Sequence, residues 1–365
     1  MTVKRLSVHV LHEYDIAYRP HASSYLRLLR PLSHPALRKE IELTYGLTYD
    51  QQDVDVVVFD RFWRPDVTRA KVTKVVDCAR RAGAKVVYSV DDDLLNMPAR
   101  STRVGRDLVV WPTDDHRQAM AFLLSQADAL WVTTERLRER YRSRNANITV
   151  LPNCLDERLL SRPTQEPSWE AGARQVIGFM GTPTHDADLR MVLPALREIC
   201  DRYRDSVVLE IIGGFADSET TRDLAGLPVR YRTTLPTDHE YPYFMMWYTR
   251  SAHWDIGLAP LVDSDFNACK SDIKLLDYAA VGAASVCSRV PAYESTVEHR
   301  LRGMLVGNHA DAWVTALDEL LGNDCLRQSI AAEAAVYLHS QRTLAQGARA
   351  WVSALRSLCD RADME

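Results

Sequence analysis

No C-x-x-C pair occurs anywhere in the chain. Its seven cysteines (Cys78, Cys154, Cys200, Cys269, Cys287, Cys325 and Cys359) are odd in number and widely scattered. That pattern disfavours both a disulfide framework and a structural zinc site, and it fits a cytoplasmic setting. No apolar run approaches the roughly 20 residues of a membrane span, and mean hydropathy is -0.24. The N-terminus starts with charge but has only a short apolar run, broken by His9 and His12. A secretory signal is therefore not expected. There is no basic excess either: 45 Lys and Arg stand against 49 Asp and Glu, for a formal net charge of -4. A generic nucleic-acid binder usually carries the opposite sign. No repeat with a period of roughly 20 to 50 residues is visible, which disfavours a solenoid or propeller.

What is present is enough for two cored domains. The chain has 365 residues, 46% hydrophobic and 26% charged, a globular composition. Short apolar runs alternate with helical patterns. In the first half, strands are predicted over 6–11, 55–59, 85–90, 129–133 and 148–151. Helices are predicted over 67–82, 118–127 and 134–141, and Ser23 and Ser24 are expected to cap a helix carrying Tyr25, Leu28, Leu29 and Leu32. Residues 157–173 break the pattern with two prolines and polar residues, and read as a linker. Alternation then resumes, with strands over 175–180, 207–212, 229–232, 255–261, 285–288 and 303–306. The helices here are predicted over 187–203, 272–281 and 310–322, with one more from 324 to 357. This is an α/β pattern: two Rossmann-like parallel sheets with helices on both faces. The predicted division is 1–156, a linker 157–173, 174–340, and a C-terminal helix 341–365 packing back on the first domain. Ligands of such sheets bind outside the carboxyl ends of the strands, so a cleft between two facing sheets is the expected site.

Residues 265–288 (DFNACKSDIKLLDYAAVGAASVCS) are the most informative. On a helix over 270–281, Lys270, Lys274 and Asp277 fall at i, i+4 and i+7, on one face. Ile273, Leu276 and Ala280 fall on another. Ser271 would sit in the first turn, and Gly282 would end the helix. A helix N-terminus with two lysines beside it is suited to an anion, and Asp277 is suited to a sugar diol. The bland alternative is an exposed ion-pair face, worth about 0.3–0.5 kcal/mol.

WDIGLAPL followed by FNACKSDIKLLDYAAVGAASVCS resembles the donor-binding segment of GT-B glycosyltransferases. It looks most like the retaining family-four enzymes of bacterial surface polysaccharide synthesis. IGFMGTPTHDADLRMVLPAL is similar to the first strand–loop–helix of their C-terminal domain, and VLPNCLD to the segment before their linker. DVVVFDRFW and KVVYSVDDDL look like their acceptor-side domain. The resemblance implies a cytoplasmic, metal-independent transferase of GT-B fold that needs no cofactor. It would move a sugar from a nucleotide-diphosphate sugar to a glycan or lipid-linked acceptor, as in O-antigen, lipopolysaccharide or capsule assembly, with peripheral contact at the inner membrane. In that reading Gly181, Thr182, Lys270, Ser271 and Lys274 hold the diphosphate and Asp277 holds the ribose. Three departures stand out. Cys269 replaces the first acid of the usual pair. The loop Gly181–His185 lacks the usual Arg and Lys, which leaves the charge to Lys270 and Lys274, with Thr182 and His185 donating hydrogen bonds. Residues 12–24 contain no glycine. A nucleotide-sugar epimerase on the same fold, and a non-catalytic subunit binding a partner transferase, stay open alternatives.

Other candidates lie at strand ends. Asp91, Asp92 and Asp93 follow the strand KVVYSV. Asp91 or Asp92 would orient an acceptor hydroxyl or take its proton, with like-charged neighbours raising the pKa of Asp91. Turn and capping roles, or a Mg²⁺ site, are the alternatives. His185 would meet a phosphate or pair with Asp186 or Asp188. Arg61 and Trp63 would touch the acceptor, or Trp63 would cover the sheet edge. The aromatic run Tyr241, Tyr243, Phe244, Trp247, Tyr248 and Trp254 reads as core. RLRERYRSR, 136–144, reads as a solvated helix face or a contact for anionic lipid headgroups.

Overall fold

The computed structural model describes residues 4–14, 18–50, 53–104, 107–160, 174–213 and 222–360. The chain divides into two compact units. Unit 1 is Met1–Asp156 with Cys269–Ser271 and Leu344–Glu365, and unit 2 is Glu157–Ala268 with Asp272–Thr343. Most of the expected linker, 161–173, lies outside the described residues, as does Gly214.

Unit 1 contains β1 (Leu6–Leu11), α1 (Ala22–Ser24), a π-helical turn Tyr25–Leu29, α2 (Arg30–Leu32), β2 (Ile41–Gly46), β3 (Val56–Asp60) and α3 (Arg69–Arg81). It continues with β4 (Lys85–Val90), β5 (Arg100–Val104), β6 (Asp107–Trp111), α4 (Asp114–Gln126), β7 (Ala129–Val132), α5 (Glu135–Tyr141) and β8 (Ile148–Val150). Six strands form a parallel sheet in the order β2-β1-β3-β4-β7-β8, and β5 and β6 pair antiparallel. The order reverses at β1, which pairs β2 on one side and β3 on the other. β3 is buried throughout, as its unbroken β-branched run requires. Three elements were not expected: β2, β5 and β6. β2 is mostly exposed or half-buried (IELTYG), so it lacks the apolar run that marks a central strand. The first helix is capped by His21, whose Nδ1 accepts from Ser23 N at 3.3 Å, and not by Ser23 and Ser24.

Unit 2 contains β9 (Gln175–Met180), α6 (Asp186–Tyr203), β10 (Val207–Ile212), β11 (Val229–Arg232), α7 (Tyr241–Ser251), β12 (Ile256–Ala259) and α8 (Ile273–Ala280). β13 (Ala284–Ser288), α9 (Pro291–Glu294), β14 (Met304–Val306), α10 (Ala310–Gly322) and α11 (Asp324–Gln341) complete it. Its sheet is parallel, in the order β11-β10-β9-β12-β13-β14, and reverses at β9. Phe179, Leu196, Leu209, Val286, Trp313 and Leu317 lie in its core.

The helix expected over 324–357 is three: α11, α12 (Leu344–Gly347) and α13 (Arg349–Asp360). At the break Arg342 leaves helical geometry, with φ -123° and ψ 22°, and its guanidinium donates to Asp272 in two hydrogen bonds of 2.6 and 2.8 Å. α12 and α13 belong to unit 1. Leu344, Trp351, Val352 and Leu355 join the core cluster of Leu28, Val58 and Trp131, and Trp351 Nε1 donates to Arg27 O at 2.9 Å. Each large apolar side chain buried there contributes about 1.5–3 kcal/mol.

Candidate functional site

In unit 2 the candidate residues gather at the carboxyl end of β9, the reversal point of the sheet, where parallel α/β sheets bind their ligands. Gly181 leaves β9 and donates from its N–H to Ile212 O at 3.0 Å. Gly213 lies against it so closely that a Cβ there would stand 1.7 Å from Gly181 O, and its φ is +130°. Only glycine tolerates both. The chain then turns through Thr182 and His185, with His185 N donating to Thr182 O at 2.9 Å. His185 Nδ1 is 2.7 Å from Asp188 Oδ2, and Asp188 Oδ1 accepts from Val262 N at 2.7 Å. Of the two acids that the sequence offers to His185 (Asp186 and Asp188), the structure pairs it with Asp188. It ties the loop after β9 to the loop after β12.

The helix carrying the K-x-x-D pattern starts later than the spacing predicts. α8 begins at Ile273, so Lys270 and Ser271 precede it and Lys270 shares no helix face with Lys274 and Asp277. Asp272 occupies the N-cap position, and its carboxylate is held by Arg342 and does not cap the helix. The exposed ion-pair alternative fails too. Lys274 and Asp277 are 8% and 6% exposed. Lys274 Nζ donates to Met180 O, the residue before Gly181, and sits 5.2 Å from the Phe179 ring centroid. Burial pushes the Asp277 carboxyl up to about 7, against the pull of Lys274. Gly282 ends the helix region with φ +72°, as expected. Tyr248, Trp254 and Tyr278 meet edge-on in the core behind it, but the core reading of the aromatic run holds only for Tyr248 and Trp254: Tyr243 is exposed and Tyr241, Phe244 and Trp247 are half-buried.

Unit 1 assembles a second group at the carboxyl ends of β1, β3 and β4. Arg61, just past β3, has φ +47°. Its Nε donates to Glu13 Oε2 at 2.5 Å and its Nη1 to Asp91 Oδ1. The three adjacent acids go three ways. Asp91 pairs with Arg61. Asp92 Oδ2 is 3.2 Å from Lys270 Nζ. Asp93 is fully buried, accepting from Tyr141 OH at 2.7 Å and Asn96 Nδ2 at 3.0 Å, and pairing with Arg140 at 2.9 Å. Arg140 is therefore not part of a simply solvated face, whereas Arg138 and Arg142 pair with Glu135 and Glu139 on the surface. Ser271 accepts from Asn153 Nδ2 at 2.8 Å, so Lys270 and Ser271 are engaged within unit 1.

Two expectations are corrected here. Asp91 does not have a raised pKa. Burial is the largest influence and would raise it, but Arg61, a hydrogen bond from Ser23 and the nearby His21 and Arg27 together outweigh burial and bring its carboxyl down to about 2, which makes it a poor proton acceptor at neutral pH. Trp63 is 2% exposed, donates from Nε1 to Leu47 O at 3.0 Å and packs edge-on against Phe59. It is core, and offers no ring to an acceptor.

The titrating carboxyl in this group is Asp60, which carries no distinguishing signal in the sequence although it ends β3 beside Arg61. It is fully buried and accepts from Ser24 Oγ at 2.5 Å and from Glu13 N at 3.3 Å. Burial pushes its pKa up to about 7. Between the unfolded carboxyl value near 3.9 and pH 7, the folded state keeps a proton that the unfolded state has lost. Stability from this group therefore falls with rising pH, by ~1.4 kcal/mol per unit over that window. Asp60→Asn retains an acceptor for Ser24 and removes the titration. In urea melts its stability relative to wild type should climb between pH 5 and pH 7.5. A difference that stays flat with pH would refute the assignment.

Comparison with known proteins places this geometry. Residues 174–323 match the family model described as Glycosyl transferases group 1. No curated protein matches the chain in sequence. Among solved structures, the chain is similar to sucrose-phosphate synthase from Thermosynechococcus elongatus (TM-score 0.68, 11% identity, covering 98% of this chain and 100% of that one). It is similar to Anabaena HepE in complex with UDP (0.65, 10% identity, 96% and 100%). It is also similar to WaaG, a glycosyltransferase involved in lipopolysaccharide biosynthesis (0.62, 14% identity, 97% and 99%). The two parallel sheets are the two Rossmann-like halves of the GT-B fold, and Gly181, His185, Lys274 and Asp277 all fall within the stretch that matches the group 1 glycosyltransferase model.

Proposed function

We propose that the chain transfers a sugar from a nucleotide-diphosphate sugar to a glycan or lipid-linked glycan acceptor. One observation carries the reading. Within the group 1 match, the glycine turn after β9, Lys274 and Asp277 meet at the reversal point of the sheet. In this reading the Gly181 backbone approaches the diphosphate, Thr182 and His185 donate hydrogen bonds to it, and Asp277 holds the ribose. Lys274 offsets the charge that builds on the leaving diphosphate, which stabilises the transition state. Retention is the favoured stereochemistry. The proton affinity of Asp91 is too low for a general base, and in a retaining transfer the leaving phosphate can take the acceptor proton on the same face. Asp91 and Asp92 then orient the acceptor. The likeness to WaaG supports a place in surface polysaccharide assembly, and the HepE complexes support uridine diphosphate as the first nucleotide to try.

A thermal-shift panel with UDP, GDP, ADP, dTDP and CMP tests the donor site. A ligand at about 100 times its Kd adds ~2.7 kcal/mol, a rise of several degrees for a chain of this size. One nucleoside diphosphate should raise the melting temperature of wild type, and Lys274→Ala should lose most of that rise. If no nucleotide moves the transition at millimolar concentration, the donor reading falls.

A further inference from the structure

A row of aromatic rings borders the charged group of unit 1, and the transfer chemistry has not used it. Tyr14 and Tyr18 stack with ring centroids 5.6 Å apart and planes 28° from parallel. His12 meets Tyr14 edge-on at 6.4 Å and Tyr45 at 5.9 Å. His12 is buried, whereas Tyr18 is 68% and Tyr45 58% exposed. Tyr18 and Tyr45 stand at the two ends of this row, and large rings left this exposed on one continuous run of rings mark a binding surface. Tyr14 lies just beyond the end of β1 and Tyr45 near the end of β2, the strand ends that also carry Glu13 and, on β3, Arg61. Tyr18 holds φ +61°, a conformation unfavourable for a tyrosine, as Arg61 does at +47°.

The charges beside the rings are already balanced. Glu13 and Asp91 share Arg61, and Asp92 pairs with Lys270. Arg27, fully buried, lies in the field of Asp91 and Asp60. Among the described residues, its Nε and Nη2, Asp60 Oδ1 and Tyr88 OH are buried polar atoms without hydrogen-bond partners. Such a group offers donors and acceptors but no surplus charge. A phosphate or carboxylate entering it would meet carboxylates already matched to cations. A neutral pyranose fits both halves: its C–H face suits a ring surface and its hydroxyls suit a guanidinium–carboxylate pair.

We propose that the strand ends of unit 1 bind an uncharged pyranose of the acceptor, with its apolar face on Tyr14, Tyr18 and Tyr45 and its hydroxyls on the Glu13–Arg61–Asp91 group. This deepens the sugar-transfer reading and rests on it. The test is saturation-transfer NMR on the full chain with the methyl glycosides of glucose, galactose, mannose and rhamnose. Methyl glucuronide and glucose 6-phosphate serve as charged counterparts. At least one neutral glycoside should bind in the millimolar range, more tightly than either charged probe. Tyr45→Ala and Tyr18→Ala should weaken it about tenfold, which is ~1.4 kcal/mol, and Tyr45→Phe should restore it. Both tyrosines are exposed, so the alanine variants should fold. A UDP titration in the same samples should be unchanged. Tighter binding of a charged probe, no neutral binding up to tens of millimolar, or neutral binding indifferent to the loss of the rings would each overturn the proposal. Loss of UDP binding in wild type would instead overturn the donor reading.

Discussion

Gly213→Ala should cost unit 2 on the order of 4 kcal/mol or more and abolish stabilisation by nucleoside diphosphate. Two effects add. The residue sits at φ +130°, where a side chain is strained, and the new Cβ would lie 1.7 Å from the Gly181 carbonyl oxygen. The atom in the way is backbone, so no side-chain rotation relieves the clash. Relief requires moving Gly181, whose N–H is bonded to Ile212 O, and with it the turn proposed to meet the diphosphate. Gly282→Ala is the control. It also has positive φ (+72°), but a Cβ added there would meet nothing within 4 Å, so it should cost only about 1–2 kcal/mol and leave nucleotide binding intact. Differential scanning calorimetry with and without ligand separates the two. A Gly213→Ala protein that melts and binds like Gly282→Ala would show that the close approach does not matter.

Arg61→Ala should destabilise unit 1 by about 3–5 kcal/mol, because it leaves Glu13 and Asp91 buried without their counter-ion. The pH dependence contributed by Asp91 should change sign. In wild type the Asp91 carboxyl is held near 2, so its contribution is complete above the unfolded value near 3.9 and is lost as pH falls toward 2. Without Arg61, burial dominates and the carboxyl pKa rises above its unfolded value. Relative to wild type, in which Asp60 already favours lower pH over this window, the variant should then gain stability as pH falls from 7.5 to 5. Arg61→Lys should recover only part of the loss, since an ammonium cannot reproduce the two-armed contact. Urea melts at both pH values decide the matter: a parallel offset at every pH would mean that charge burial is not the cause.

The alternating halves of the chain were legible because buried parallel strands are continuous apolar runs. The predicted ranges of β1, β4, β9, β10, β11 and α10 coincide with those observed. β2 was not legible, since an edge strand with polar faces carries no such run. The helix at 270–281 was placed too early because spacing cannot show that Asp272 is claimed by Arg342, about 70 residues away. Long-range pairing also explains the miss at Asp91. Its neighbours in sequence are acids, but its neighbour in space is Arg61. Trp63 was ambiguous for the same reason, its fate set by Leu47 O and Phe59. Gly181, Lys274 and Asp277 were legible as a group because the strand–turn and helix that carry them are each local.

The composition of unit 1 has a consequence for how the protein is made. Its first strand leaves the ribosome long before Trp351, Val352 and Leu355, yet its core includes all three. The Arg27 carbonyl that receives the Trp351 indole waits for more than 300 residues of synthesis. Unit 2 is complete by Thr343. The half that begins first therefore finishes last, and until α13 arrives the apolar side chains of Leu28, Val58 and Trp131 lack part of their cover. At roughly 5–20 residues per second, that interval lasts tens of seconds. Nascent-chain pulldowns should find chaperones engaged on this half throughout it, and released only after Leu358 has emerged.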